Sequence, residues 1–376
     1  MKTDRPNVLI VDGSSGFGGA TTTLVGLVEG LQQRGARVHI AASHDDGWDR
    51  LGLRSLVTPL VGEFQSASGA AYLWRELRRA AVLRSLMKDR DIDVVVANND
   101  PAVNAAAHLA ARATVTPLVQ IIRGHARRSP WTAGLLEQAN AVFSHGGAHE
   151  GRAAGFGQVV SRWHSLDEGL PSSQWPSPRR ADASRWLWAS TLARWKGLPL
   201  LLEAFGGLSG ARPELDVCYI PLASGHSDAA AVPAACPAGV HLHEHPPDLD
   251  RLRAACSVYV HTALVAEPFG RSILEAMAAG LCPVVPDEGG GARLVSHLDT
   301  GIVYQARSAE SLREAMALLV KRPALAAVCG ARAALAARAF TSERVLRPLI
   351  NSVFAATRQP GVVSRGQPAS MASAGR

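Results

Sequence analysis

The chain is poor in lysine. Of 39 basic residues only Lys2, Lys88, Lys196 and Lys321 are lysines, and the rest are arginines. Alanine is abundant as well, the skew expected of a GC-rich genome, so much of the net charge of +7 reflects base composition. A lysine in a chemically sensible place is therefore conspicuous. Aromatic residues make up 5% of the chain and offer no stacking platform, and no RNA- or DNA-binding motif is present, so no nucleic-acid partner is expected. No run approaches ~18 uninterrupted apolar residues, which excludes an expected membrane span. The first apolar run, Asn7–Val11, is too short for a signal-peptide core. The five cysteines (Cys218, Cys236, Cys256, Cys282 and Cys329) are odd in number and form no C-x-x-C pair. They read as small buried apolar residues in a reducing, cytoplasmic setting, not as disulfides or zinc ligands.

What is present is ordinary globular protein. The 376 residues are 47% hydrophobic and 19% charged, enough for two domains of ~150 residues and against disorder or a coiled coil. Short apolar runs alternate with helical patterns. The first half predicts strands at Asn7–Val11, Val38–Ala42, Val94–Ala97, Leu118–Ile122 and Ala141–Ser144, with helices over Thr22–Arg34, Leu73–Arg90 and Ala102–Ala113. Three prolines between Pro171 and Pro178 then mark a linker. A second series follows, with strands near Arg185–Ala189, Val217–Pro221, Val240–His243, Val258–His261, Pro283–Pro286 and Ile302–Tyr304. Its helices are Leu198–Leu208, Arg271–Ala279 and Ser311–Val320. Buried strands alternating with helices mean parallel sheets covered on both faces. The expected α/β organisation is two Rossmann-like doubly wound domains facing a central cleft. Residues 1–170 form the first, 171–184 the linker and 185–340 the second. A helix over 341–358 crosses back to the first domain, and 359–376, rich in Ser, Ala, Gly and Pro, is a disordered tail.

The loop Asp12-Gly-Ser-Ser-Gly-Phe-Gly-Gly-Ala-Thr21 joins the first strand to the first helix. It is not a Walker A loop, because Gly19-Ala20 stand where Lys and Ser/Thr are required. Nor does G-x-x-G-x-G-G fit the dinucleotide pattern G-x-G-x-x-G. Two readings stay open: glycines that let backbone amides approach an anion, or a tight strand–helix turn.

The most informative stretch is Glu267-Pro-Phe-Gly-Arg-Ser-Ile-Leu-Glu275-Ala-Met-Ala-Ala-Gly280. Both acids fall near the entry of one helix, beside a strand end. Free amides at Gly270, Arg271 and Ser272 suit a phosphate, while carboxylates suit sugar hydroxyls. At these residues the sequence resembles the retaining glycosyltransferases of family 4, with the GT-B fold, whose E-x7-E signature it matches almost letter for letter. The resemblance extends over roughly residues 5–355.

The resemblance implies that Glu267 contacts the donor sugar, that the amides of Phe269 and Gly270 hold sugar or phosphate, and that Glu275 binds the nucleotide ribose. It also implies that Gly18 and Gly19 lie beneath the diphosphate. The family's other signature, G-R-L-x-x-x-K-G, reads Ser190-Thr-Leu-Ala-Arg-Trp-Lys-Gly197 here. Lys196 and Gly197 match, Thr191 replaces the arginine, and Arg194 is the substitute cation within reach in sequence. Arg123 occupies the strand end where many relatives have a histidine, and His125 follows two residues on. Acceptor contacts are expected from Asn98, Asn99, Asp100, Arg123, His125, Arg127 and Arg128. No metal and no cofactor is expected, because Lys196 and helix amides can meet the charge of a leaving diphosphate. The expected partners are small molecules: a UDP- or GDP-linked donor and a soluble acceptor in antibiotic biosynthesis, either an aminocyclitol or the thiol ergothioneine. The rival readings are an envelope polysaccharide or glycolipid transferase, and a non-catalytic sugar-nucleotide-binding protein.

Two further signals are set aside. His241-Leu-His-Glu-His245 has no further metal ligand in view and reads as exposed histidines. The helix with Arg75, Arg78, Arg79, Arg84, Lys88 and Arg90 reads as a solvated face, with weak peripheral membrane contact as the alternative.

Overall fold

The structure, a computed structural model, describes residues 5–13, 19–45, 47–60, 69–124, 128–145, 154–157, 160–180, 184–210, 212–222, 228–233 and 235–358. The described residues fall into two compact units. One comprises the chain up to Leu166 together with the stretch from Leu346 onward, and the other is Asp167–Val345.

The first unit is built on seven parallel strands: β1 (Asn7–Asp12), β2 (Arg37–Ala42), β3 (Val57–Pro59), β4 (Val94–Asn98), β5 (Leu118–Ile122), β6 (Ala141–Ser144) and β7 (Trp163–Ser165). They lie in the order β3-β2-β1-β4-β5-β6-β7. All six residues of β1 are buried, as a strand covered on both faces requires. The helices are α1 (Gly19–Thr22), α2 (Leu24–Gln33), α3 (Gly69–Asp89), α4 (Ala105–Thr114) and α5 (Pro130–Leu136). In α2, Leu24, Leu27, Val28 and Leu31 repeat at helical spacing and are buried. The order of strands reverses between β1 and β4, so Asp12, Gly13 and Asn98 stand at the switch point where open sheets bind ligands.

The second unit repeats the plan with six parallel strands: β8 (Arg185–Leu192), β9 (Leu215–Pro221), β10 (Val240–Glu244), β11 (Cys256–Val260), β12 (Cys282–Pro286) and β13 (Ile302–Tyr304). Their order is β10-β9-β8-β11-β12-β13, with the reversal between β8 and β11. Helices α6 (Leu198–Gly206), α7 (Leu249–Ala254), α8 (Arg271–Ala278), α9 (Gly289–Leu294), α10 (Ala309–Lys321), α11 (Pro323–Ala337) and α12 (Ser342–Val345) complete it. Two apolar clusters cover opposite faces of this sheet, one around Trp188, Phe205 and Leu312, the other around Ile273, Met277 and Leu281. The final helix, α13 (Arg347–Ala356), belongs to the first unit, packing against β4, β5 and α2.

The parallel doubly wound architecture agrees with the sequence reading. Strands β3 and β7 were not anticipated, each being three residues long. All five cysteines are free, four of them buried. The solvated-face reading holds for Arg78, Arg84 and Lys88 on α3 and for Arg90 just after it, which are exposed, and fails for Arg79. Arg79 is buried against Glu76, whose second oxygen accepts the Ala106 amide, while Leu73, Trp74 and Leu77 are 45%, 65% and 46% exposed. The residues 359–376 taken as a tail lie outside the described part.

Candidate active site

In the second unit, β8 and β11 end side by side at the switch point. Chain leaving β8 makes a single turn, Arg194–Lys196, and closes on Gly197, whose φ is +73°. A Cβ on Gly197 would lie 2.0 Å from the Thr262 carbonyl oxygen, so only glycine permits this approach. Thr262, just beyond β11, ties the two strand ends together. Its hydroxyl donates to the Lys196 carbonyl at 2.9 Å and accepts from Trp188 Nε1 at 2.9 Å.

This turn carries the Lys196 ammonium to Glu267, with Nζ 2.5 Å from Oε1. The ammonium also sits 4.2 Å from the centroid of the Trp195 ring. His261, the residue after β11, places Nε2 3.5 Å from the same carboxylate oxygen. Burial opposes ionisation of Glu267, but His261 and Lys196 outweigh it and hold the carboxyl below its ordinary value. Burial also lowers the His261 imidazole, more than Glu267 raises it.

The Glu267–Gly270 loop is shaped from behind by the glycine run before Leu294. The Gly290 amide donates to the Glu267 carbonyl at 2.8 Å, and a Cβ on Gly290 would fall 1.6 Å from the Phe269 carbonyl oxygen. Helix α8 then opens at Gly270, φ +94°, with no side-chain cap. Uncapped amides at Arg271 and Ser272 form an anion-friendly helix entry. Ser272 Oγ accepts from the buried Tyr259 hydroxyl at 2.8 Å. Glu275, further along α8, is clamped by Arg271 Nε and Arg253 Nη2, each at 3.1 Å. Two bonds leave the carboxylate with unused acceptor capacity.

The structure therefore brings Lys196, Glu267, Phe269, Gly270, Arg271, Ser272 and Glu275 into one continuous strip. Arg194 is directed elsewhere: its Nε donates to the Ala229 carbonyl at 3.1 Å, and no described hydrogen bond or ion pair joins it to Lys196 or Glu267. Thr191 lies within β8.

In the first unit, Arg123 Nε donates to Asn98 Oδ1 at 2.9 Å at the ends of β5 and β4. Asn99 adopts φ +94° and accepts the Asp100 amide on its own Oδ1 at 3.0 Å. Gly19 opens α1; neither its φ nor packing demands glycine, since a Cβ there meets nothing within 4 Å. Gly18, His125 and Arg127 lie outside the described residues.

Sequence reasoning missed several groups. His261 was legible as a strand end, but nothing in its spacing pointed to Glu267. Asp12 at the end of β1 accepts from Thr21 Oγ1 at 3.0 Å, and Thr21 lies 3.3 Å from His44 Nε2, so the two ends of the glycine loop are pinned together. At the N-terminus of α5, half-exposed Trp131 donates from Nε1 to the Tyr72 hydroxyl, which itself donates to the Ala102 carbonyl at 2.6 Å. An indole is thereby fixed beside the Asn98–Asp100 turn.

Comparison with known proteins bears on both units. Residues 18–155 match the glycosyl transferase 4-like domain, and residues 174–335 match glycosyl transferases group 1. A comparison with curated proteins gives no match. Among solved structures, HepE of Anabaena in complex with UDP-glucose superposes with a TM-score of 0.73 at 19% identity, covering 93% of this chain and 99% of that one. A glycosyltransferase from Rickettsia africae gives 0.73 at 14% identity, over 95% and 100% of the two chains. Sucrose-phosphate synthase from Thermosynechococcus elongatus gives 0.72 at 16%, over 94% and 100%. These chains share the fold of two Rossmann-like domains.

Proposed function

Because the chain is a glycosyltransferase of the GT-B fold, we propose that it transfers a sugar, with retention of configuration, from a UDP- or GDP-linked donor to a small soluble acceptor. The observation that carries this reading is the Lys196–Glu267 pair at the end of β8, next to the uncapped entry of α8. Breaking the bond to a nucleoside diphosphate is limited by the charge growing on the leaving phosphate. Lys196 and the amides of Arg271 and Ser272 present fixed positive charge for it in a largely buried setting, where such charge acts most strongly. Glu267, kept ionised, accepts hydrogen bonds from the sugar hydroxyls and orients the anomeric carbon. Glu275, steadied by Arg253 and Arg271, receives the ribose hydroxyls. Gly19, with open space where a side chain would stand, lets backbone approach the diphosphate. In this reading protein cations meet the charge, and neither metal nor cofactor takes part.

UDP is the favoured donor nucleotide, since HepE is seen with UDP-glucose. The acceptor binds beside Asn98, Asn99 and Arg123, in an enzyme of the cytoplasm serving antibiotic biosynthesis with an aminocyclitol or thiol acceptor. One observation favours a second reading, an envelope polysaccharide or glycolipid acceptor: the exposed Leu73, Trp74 and Leu77 on α3 suit a lipid-linked substrate.

The test is donor turnover. Incubated with UDP-glucose and with GDP-mannose, the protein should release nucleoside diphosphate from one of them, unaffected by EDTA. Lys196→Met and Glu267→Gln should each lower kcat by about 10²–10³-fold while the protein stays folded at the assay temperature. Near-native turnover in either folded variant would overturn the site assignment.

A further inference from the structure

The second unit holds a cavity at the edge opposite the Lys196–Glu267 cluster. We propose that it is a separate binding site for a small phosphomonoester carried on an apolar or aromatic body. The cavity has a volume of about 450 Å³, within the ~300–1,000 Å³ of small-molecule sites. It opens at the amino-terminal ends of β8 and β11, whereas Lys196 and His261 follow their carboxyl-terminal ends, so the two places are separated by the length of the strands.

The walls are chemically divided. Trp186, Val258 and Leu319 form a buried apolar floor, while Arg179, Arg212 and Ser257 supply polar groups. Among the described residues no acidic side chain lines the cavity. Among the described residues the Arg179 side chain has no hydrogen-bond or ion-pair partner, and Arg212 spends only its Nε, on the Leu208 carbonyl at 2.9 Å. Arg179 is half-buried and Arg212 exposed, so both guanidinium groups are free to turn toward an anion that enters the cavity.

Two further features converge here. The start of α11 lines the cavity through Pro323, Ala326 and Ala327 and adds apolar wall, not donors: Pro323 has no N–H and the Leu325 amide is bonded to the Arg322 carbonyl at 2.9 Å. The β8–β11 ladder is also irregular at this spot: the register shifts between Cys256 and Val258, leaving Ser257 as the extra residue. Bulges between parallel strands are rare and re-aim side chains at sites. Two guanidinium forks together offer more donors than a carboxylate's two oxygens can use, which favours the three oxygens of a phosphomonoester. The apolar floor calls for a body beyond the phosphate.

Calorimetric titration with phenyl phosphate tests this, with inorganic phosphate as the comparator. Saturable binding is expected, tighter for phenyl phosphate. Arg179→Gln and Arg212→Gln should each weaken it by about tenfold, and Ala327→Glu should abolish it by repulsion. Lys196→Met should leave it unchanged, which separates this cavity from a nucleotide site and keeps the result independent of sugar transfer. Failure of the native protein to bind, indifference to all three cavity variants, loss in Lys196→Met, or equal affinity for inorganic phosphate would overturn the proposal. Melting curves confirm that each variant is folded; should one arginine variant unfold, the other and Ala327→Glu carry the reading.

Discussion

Lys196 illustrates how much depends on a single side chain. It is one of four lysines in the chain, and it is partly buried against Glu267. Removing one member of such a pair strands the other charge, at a cost of about 3–5 kcal/mol in a fully buried setting and less here. The paired variant Lys196→Met/Glu267→Gln should therefore melt higher than Lys196→Met alone, while remaining equally inactive. Gly290 is as sensitive for a steric reason. With a Cβ 1.6 Å from the Phe269 oxygen, Gly290→Ala must displace the Glu267–Gly270 loop, costing about 3 kcal/mol and lowering melting by roughly 10 °C. His108 brings pH dependence. Burial pushes its imidazole down to about 4, with Gln120 hydrogen-bonded to Nε2 at 2.8 Å. The unfolded chain binds this proton more readily than the folded one, so the contribution to stability is complete above pH ~6.5 and is lost as pH falls toward ~4, amounting to about 3 kcal/mol. Thermal melts between pH 7 and 4 should show a shallower loss in His108→Gln.

Elements that are long and regularly patterned were legible in the sequence, and short or non-locally determined ones were not. Strands β1, β5, β6 and β13 announce themselves as apolar runs between turn residues. β3 and β7 are too short for alternation to register, and α11, alanine-rich from Pro323 to Ala337, lacks a polar face to reveal its period. The motif around Glu267 exposed the carboxylates, but not the Gly289–Gly291 run that presses on them from a later loop, because that contact is tertiary. Glu275 was likewise readable as an acid on α8, whereas its clamp from Arg253 on α7 depends on packing between helices. Arg253→Met should leave Glu275 held by Arg271 alone, weakening UDP binding by about tenfold in calorimetry while moving the melting temperature little. On α3 the charge pattern placed Arg78, Arg84 and Lys88, with Arg90 just beyond, correctly in solvent, but it gave no sign that Arg79 turns inward to Glu76 or that Leu73, Trp74 and Leu77 are exposed as well.

At the scale of the whole molecule, the first unit is discontinuous in sequence. Its sheet is complete by Ser165, yet α13 closes one face with Leu349, Ile350 and Val353 buried, and a Cβ on Gly30 would meet Ile350 Cδ1 at 2.5 Å. Burying three large aliphatic side chains is worth at most about 9 kcal/mol, less where the unfolded chain is compact. A chain ending at Val345 should therefore show early melting of the first unit with the second unit's transition unchanged, read by calorimetry as two separated peaks. Synthesis follows the same asymmetry. Asp167–Val345 is contiguous and can fold as soon as it emerges, whereas the first unit waits for a helix made roughly 180 residues after Leu166. At about 5–20 residues per second that delay is on the order of ten to tens of seconds. Throughout it, the apolar seat of α13 stands open on the ribosome, so the earlier-made half of the protein is the later to finish and the natural client for a chaperone.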